Sequence, residues 1–90
     1  MARKNAHVVV AATASTDETS AAFSVHRLIF LANDGAVNIT FNFDGLTTAA
    51  GAFVLKPGEI LNALDREITT LSYKTGSSTA AFRALGLKNT

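Results

Sequence analysis

The sequence predicts an all-β fold, a small antiparallel β-sandwich or barrel. One observation is a segment near the middle of the chain in which apolar and polar residues alternate, the pattern of a half-buried strand. Another is that β-branched and aromatic segments recur at intervals of about ten residues, with turn residues between them. A chain of 90 residues builds one core, so we expect a single domain, residues 1–90, with a short N-terminal arm of about residues 1–7.

Two strands are predicted before the middle segment. Val8, Val9 and Val10 are β-branched and favour a strand, and the polar segment 13–20 that follows them is a predicted loop. Segment 21–32 has apolar residues at both odd and even positions. We therefore expect one strand there, either buried on both faces or with its outer face against another chain.

The stretch "NDGAVNITFNFDG", residues 33–45, places an Asp-Gly pair at each end of the clearest predicted strand, 36–43. Asp hydrogen-bonds its own backbone and Gly tolerates positive φ, so both pairs are typical of turns. The alternative is two acidic loops that share a metal, but eight extended residues would separate Asp34 from Asp44 by about 26 Å. We therefore favour turns. The alternation assigns one face of the strand to the core (Val37, Ile39, Phe41 and Phe43) and the other to the outside (Asn38, Thr40 and Asn42).

The second half of the chain begins with a short predicted strand, 53–55. The Pro-Gly pair at 57–58 predicts a type II turn, because Pro presets the first central φ and Gly takes the positive φ of the second. Apolar residues at helical spacings then favour a short helix near residues 58–66, and an irregular stretch is the alternative there. Strands are predicted from 68 to about 74, where Thr and Tyr are frequent, and over 79–87, after a turn at residues 75–78.

Composition narrows the classes of partner. The net charge is +1, so no overall field attracts nucleic acid or an anionic membrane, and we expect neither as a partner. Cysteine is absent, which excludes disulfides. The N-terminal apolar run is shorter than a signal-peptide core and no stretch is long enough to span a membrane, so we expect a soluble, unprocessed chain. Charged residues make up 17%, below the usual 25% or so, which suits surfaces covered by neighbours.

The sequence contains no motif for nucleotide binding, zinc proteolysis or a nucleophile elbow. We therefore predict no catalytic residues, no cofactor and no metal site. His26 is interpreted as a hydrogen-bonded structural or interface histidine inside a strand, and His7 as a solvated or subunit-contact residue of the arm. Phe41 and Phe43 share a face with Val37 and Ile39 and are assigned to the core, and Tyr73 is the aromatic residue expected to place a hydroxyl at a surface. Five carboxylates are available for paired acid chemistry without a supporting pattern: Asp34, Asp44, Glu59, Asp65 and Glu67.

Three segments in order, "LANDGAVNITFNFDG", "FVLKPGEIL" and "ITTLSYKTGSSTAAFRALG", resemble small virion structural proteins of tailed bacteriophages. In that group a strand of the form N-x-I-x-F-x-F-D-G precedes an L-x-P-G-E turn, and a later strand ends near a Lys before a Ser/Gly turn and R-x-x-G. The resemblance spans residues 33–86. It implies a β-sandwich present in many copies on a head, neck or tail, with no enzyme activity.

We therefore expect a non-enzymatic virion structural protein that stabilises or decorates a tailed-phage particle and is made in the host bacterial cytoplasm. Its expected partners are other virion proteins, such as capsid, connector or tail subunits, together with further copies of itself. The alternative is a small carbohydrate- or ligand-binding β-sandwich module.

Overall fold

The computed structural model describes residues 5–89, which form eight β-strands in two four-stranded antiparallel sheets. No helix occurs within these residues. The prediction of an all-β sandwich is confirmed. The strands are β1 (Asn5–Ala14), β2 (Thr19–Val25), β3 (Arg27–Asn33), β4 (Ile39–Phe43), β5 (Phe53–Leu55), β6 (Ile60–Leu64), β7 (Ile68–Thr75) and β8 (Ala80–Asn89).

The strand order identifies the architecture. The first sheet runs β1-β8-β3-β6 and the second runs β2-β7-β4-β5. Each strand of the first half therefore pairs with its mirror strand of the second half: β4 with β5, β3 with β6, β2 with β7 and β1 with β8. This is one long hairpin, and further pairing of β3 with β8 and of β4 with β7 rolls it into two sheets. An eight-stranded hairpin rolled in this way is a jelly roll.

The expectation of one strand over residues 21–32 is wrong. This segment is two strands, β2 and β3, which lie in different sheets and meet at an exposed corner at His26. Val25 and Leu28 are both buried although they are three residues apart, which one alternating strand cannot achieve. The backbone N–H of His26 donates to Leu87 O at 2.8 Å and fixes the corner. The apolar residues at both parities therefore belong to two half-buried strands.

The predicted helix at 58–66 is also wrong, because this segment forms the edge strand β6 and pairs with β3. Leu61 and Leu64 both pack against the core. Two inward-facing residues three positions apart are typical of a helix. The spacing arises because Ala63 has a φ of 50°, which interrupts the alternation of the strand and returns Leu64 to the inner side. The turn before β6 is confirmed: Gly58 has a φ of 83°, and Glu59 N donates to Lys56 O at 2.9 Å.

The core lies between the sheets and contains the side chains expected from the alternation of β4. Ile39, Phe41 and Phe43 are buried, and Val37 packs against them. Asn42 lies on the expected outer face but is buried there, because the loop that follows β4 covers it and accepts a hydrogen bond from its Nδ2. The Tyr73 ring is packed in the core, with its centroid 4.6 Å from that of Phe82, and the side chain keeps 6% of its surface exposed.

The expected N-terminal arm, residues 1–7, overlaps the first strand. Residues 5–7 belong to β1, which pairs with β8 from Asn5 opposite Asn89 to Ala14 opposite Ala80. His7 is exposed in this strand. Residues 1–4 of the expected arm lie outside the described residues.

Candidate functional site

The first Asp-Gly pair lies in the loop between β3 and β4, and the buried side chain of Asn33 hydrogen-bonds this loop. Asn33 is 1% exposed, and its Nδ2 donates to Val37 O and Leu55 O, each at 2.9 Å. Its Oδ1 accepts from Gly35 N at 2.9 Å. One side chain therefore ties the loop between β3 and β4 to β5. This is a structural anchor, and its amide groups are occupied by backbone partners.

Asp34 forms a two-pronged ion pair with Arg83 of β8. Arg83 Nε donates to Asp34 Oδ2 at 2.6 Å and Nη2 donates to Oδ1 at 3.1 Å, the fork geometry that fixes both groups. The Arg83 guanidinium also lies over the Phe30 ring, 5.7 Å from its centroid. Hydrogen bonding from Arg83 holds the pKa of Asp34 below its ordinary value of 3.8; desolvation acts in the opposite direction, and the charge of Arg83 adds to the lowering.

This pair predicts a specific pH dependence. The folded-state pKa of Asp34 is lowered, so its contribution to stability is present above pH 3.8 and is lost as the pH falls through the lower folded value. We expect Asp34→Asn to lower the melting temperature at neutral pH. Between about pH 5 and pH 2 the melting temperature of this variant should fall by less than that of the wild type. Asp17→Asn is the matched control, because no arginine partner of the Asp17 carboxylate is found among the described residues. An acid profile of Asp34→Asn that parallels the wild type would contradict this assignment.

The second Asp-Gly pair is built differently. Asp44 has a φ of 59°, and its Oδ1 accepts from both Thr69 N and Thr70 N at 2.8 Å. Its Oδ2 accepts from Arg66 Nη2 at 3.1 Å, and the Arg66 guanidinium lies 5.8 Å from the Phe43 ring centroid. Asp44 therefore joins the end of β4 to the start of β7. Each Asp of the two pairs binds its own arginine, and that arginine covers a phenylalanine.

A two-variant series separates the contributions of Asp44. Asp44→Asn keeps one acceptor oxygen for the two backbone N–H groups and loses an exposed ion pair, so we expect a cost of about 0–1 kcal/mol. Asp44→Ala removes the acceptor altogether, and we expect about 1–3 kcal/mol. Urea unfolding of the two variants measures both values. Equal costs would contradict the structural role, and a stabilisation by added divalent ions that Asp44→Asn abolishes would indicate a metal site instead.

The loop between β4 and β5 folds back over the outer face of the second sheet. Asn42 Nδ2 donates to Leu46 O at 2.9 Å and to Ala50 O at 3.4 Å. Thr47 donates its backbone N–H to Glu18 Oε2 at 3.1 Å and its hydroxyl to Glu18 Oε1. The loop is thus fixed at several points, and it presents Leu46 with 53% of its surface exposed. A fixed loop with an exposed leucine is suited to contact another surface.

Two concave regions flank this loop. A pocket of about 460 Å³ lies between the loop and the outer face of β7, and the residues that line it include Ser20, Asp44, Thr70 and Ser72. An apolar groove of about 470 Å³ lies where edge strands β5 and β6 leave the two sheets open to each other. The residues lining this edge groove include Phe43, Phe53, Leu61, Leu64 and Arg66.

Two of the remaining carboxylates, Glu59 and Glu67, make local contacts. Glu59 Oε1 accepts from Lys56 N at 2.6 Å within the Pro-Gly turn, and Glu67 lies 3.8 Å from Nε2 of the exposed His26. Between residues 5 and 89, no group of three or more metal-ligating side chains occurs. The same residues contain no helix long and apolar enough to cross a membrane.

Exposed apolar side chains lie on three of the four strands at the sheet edges. Val9 is 63% exposed on β1, Val54 is 50% exposed on β5, and Ile60 is 55% exposed on β6. With Leu46 they are the large exposed hydrophobic residues of the described chain. The strands that lie at the edges follow only from the pairing, so no local pattern identifies these exposed positions. The polar contacts of the site also join segments 22 to 49 residues apart in the chain, through Glu18, Arg66 and Arg83. No local sequence pattern indicates such pairs.

Comparison of the chain with protein-family models, curated proteins and solved structures found no match.

Proposed function

We propose that this chain is a non-enzymatic structural component of a tailed-phage particle, present in many copies in the head, neck or tail. The observation that carries the proposal is the position of the exposed apolar residues. Val9, Val54 and Ile60 lie on edge strands, where backbone groups are also available for pairing, and Leu46 lies on a fixed loop. Contact with neighbouring subunits would remove this apolar surface from water.

Two further features support a protein surrounded by neighbours. Charged residues are only 17% of the chain, so its surface is inexpensive to desolvate. The jelly roll is also an architecture used by viral capsid domains, although lectin domains and cupins share it. In this proposal the protein is made in the host bacterial cytoplasm and is then held in the virion by capsid, connector or tail subunits and by further copies of itself.

The proposal is tested on purified particles from the source. Quantitative mass spectrometry should find the chain in intact particles at many copies relative to a single-copy virion protein. Labelling with a specific antibody, followed by electron microscopy, should place it at the head, neck or tail. The control is the lysate fraction that contains no particles. Detection of the chain only in that soluble fraction would contradict the proposal.

A second candidate function is favoured by the edge groove. Its volume of about 470 Å³ lies within the range of small-molecule sites, and aromatic rings beside a cation are suited to stack on a ligand. In this alternative the chain is a carbohydrate- or ligand-binding module. A glycan array tests it directly: binding that Phe53→Ala abolishes and Val54→Ala preserves would favour the module over the structural role.

A further inference from the structure

The four edge strands differ in how well they are protected against pairing with another strand. Natural sheets protect an edge by making it short, by interrupting its register, or by placing charges or proline along it. β5 has three residues and ends at Lys56-Pro57. β6 has a positive φ at Ala63, and β2 has a register break between Ala22 and Val25. Each of these three edges therefore carries a protective feature.

β1 carries none of these features. It has ten residues, and its pairing with β8 is regular from Asn5 to Ala14. Its sequence, "NAHVVVAATA", contains no Lys, Arg, Asp, Glu, Pro or Gly. Val9, at its centre, is the most exposed of the large hydrophobic side chains in the described residues. A long, regular, uncharged and apolar edge is a template for another strand.

We propose that β1 pairs antiparallel with β1 of a second copy, around a two-fold axis at Val9, and so joins the first sheets of both copies into one. This inference specifies how copies would meet and rests on the proposed multi-copy function. In this register Val9 lies opposite Val9, Val8 opposite Val10, His7 opposite Ala11 and Ala6 opposite Ala12. Residues of equal parity stay on the same face, so the outer and inner faces of the two sheets continue across the junction.

The charges that flank β1 favour the antiparallel direction. Arg3 and Lys4 precede the strand in the sequence, and Asp17 and Glu18 follow it. Antiparallel pairing keeps Asp17 and Glu18 of the two copies at opposite ends of the joined strands, whereas parallel pairing would set these like charges side by side. A second copy is therefore a complementary occupant for this edge.

The same features predict that association stops at two copies. A two-fold interface uses the same edge on both partners and closes on itself. The opposite edge of the first sheet is β6, where Ala63 has a positive φ and is missing from the pairing with β3. The joined sheet then ends at β6 on both sides, so a dimer is expected and not a fibre.

Light scattering after size exclusion tests the proposal on the full chain, with variants at two exposed valines. The wild type should have twice the 9.4 kDa chain mass. Val9→Lys and Val9→Asp each place two like charges directly opposite each other, and we expect dimer affinity to fall by about a hundredfold or more. Val54→Lys, at the comparably exposed valine of β5, should remain dimeric. Because Val9 is largely exposed, circular dichroism should find both Val9 variants folded.

An equimolar mixture of Val9→Lys and Val9→Asp should restore the dimer, because the two-fold axis then places opposite charges together. A monomeric wild type, or a dimer that Val9→Lys leaves intact, would overturn the proposed pairing without affecting the presence of the chain in particles. Conversely, absence of the chain from particles would contradict the proposed function and leave the dimer measurement unchanged. Failure of the mixture to associate would overturn the Val9-centred register.

Discussion

Phe82→Ala is expected to destabilise the protein by about 3–5 kcal/mol, the range for removing a buried phenylalanine. Phe82 is 1% exposed and belongs to β8 in the first sheet. Its ring meets two rings of the second sheet: Phe41, edge-on with centroids 5.2 Å apart, and Tyr73 at 4.6 Å. The substitution opens a cavity at the point where the sheets close on each other. Since small domains are stable by about 5–15 kcal/mol, the loss is a large fraction of the total.

Urea unfolding followed by circular dichroism measures this effect. Phe82→Leu retains much of the apolar volume and should cost less than Phe82→Ala, while Val54→Ala, at an exposed edge position, should change stability by about 0.5 kcal/mol or less. A Phe82→Ala variant as stable as Val54→Ala would contradict the packing of β8 against both β4 and β7.

The second large effect is expected at Gly35, in the first Asp-Gly pair. A Cβ at this position would lie 2.4 Å from Ala80 Cβ and 2.7 Å from Ala80 Cα. The obstacle is therefore backbone as well as side chain, and the loop must move away from β8. Movement also strains the Gly35 N–H bond to Asn33 Oδ1. We expect Gly35→Ala to cost about 1–3 kcal/mol, as for other overpacked sites.

Gly76→Ala is the matched control, because a Cβ there meets no heavy atom within 4 Å. Replacing a glycine at an unstrained position reduces the freedom of the unfolded chain, so a change between about zero and 1 kcal/mol of stabilisation is expected. Thermal unfolding of both variants in the same buffer compares them. Equal melting temperatures would contradict the close approach of the 34–38 loop to β8.

The two Asp-Gly pairs illustrate how far the sequence determines local structure. Turns were expected at both, and they lie at loops that flank β4. The reason expected for glycine was positive φ, but neither Gly35 nor Gly45 has one, and the positive φ falls on Asp44. Gly35 is required by the approach of Ala80, a residue 45 positions away. Close approach between distant segments leaves no signal in local sequence patterns.

The alternation of apolar and polar residues predicted β4 well, because one face of that strand meets the core and the strand contains no change of sheet. It failed over residues 21–32, where a change of sheet at His26 produces the same apolar pattern as a strand buried on both faces. It failed again at β6, where one positive φ at Ala63 imitates helical spacing. Sheet order was also beyond local patterns, because strands far apart in the chain pair with each other, as β1 does with β8. The unprotected edge at β1 could be recognised only after that order was known.

A disulfide at position 9 tests the central claim, that copies meet through β1, most directly. The chain has no cysteine, so Val9→Cys introduces the only thiol. Directly opposite residues of an antiparallel pair have Cβ atoms about 4.5–5.5 Å apart, close to disulfide geometry. Mild oxidation should convert Val9→Cys to a covalent dimer on a non-reducing gel and leave most of the matched Val54→Cys monomeric. Equal dimer yields from the two variants would contradict the claim.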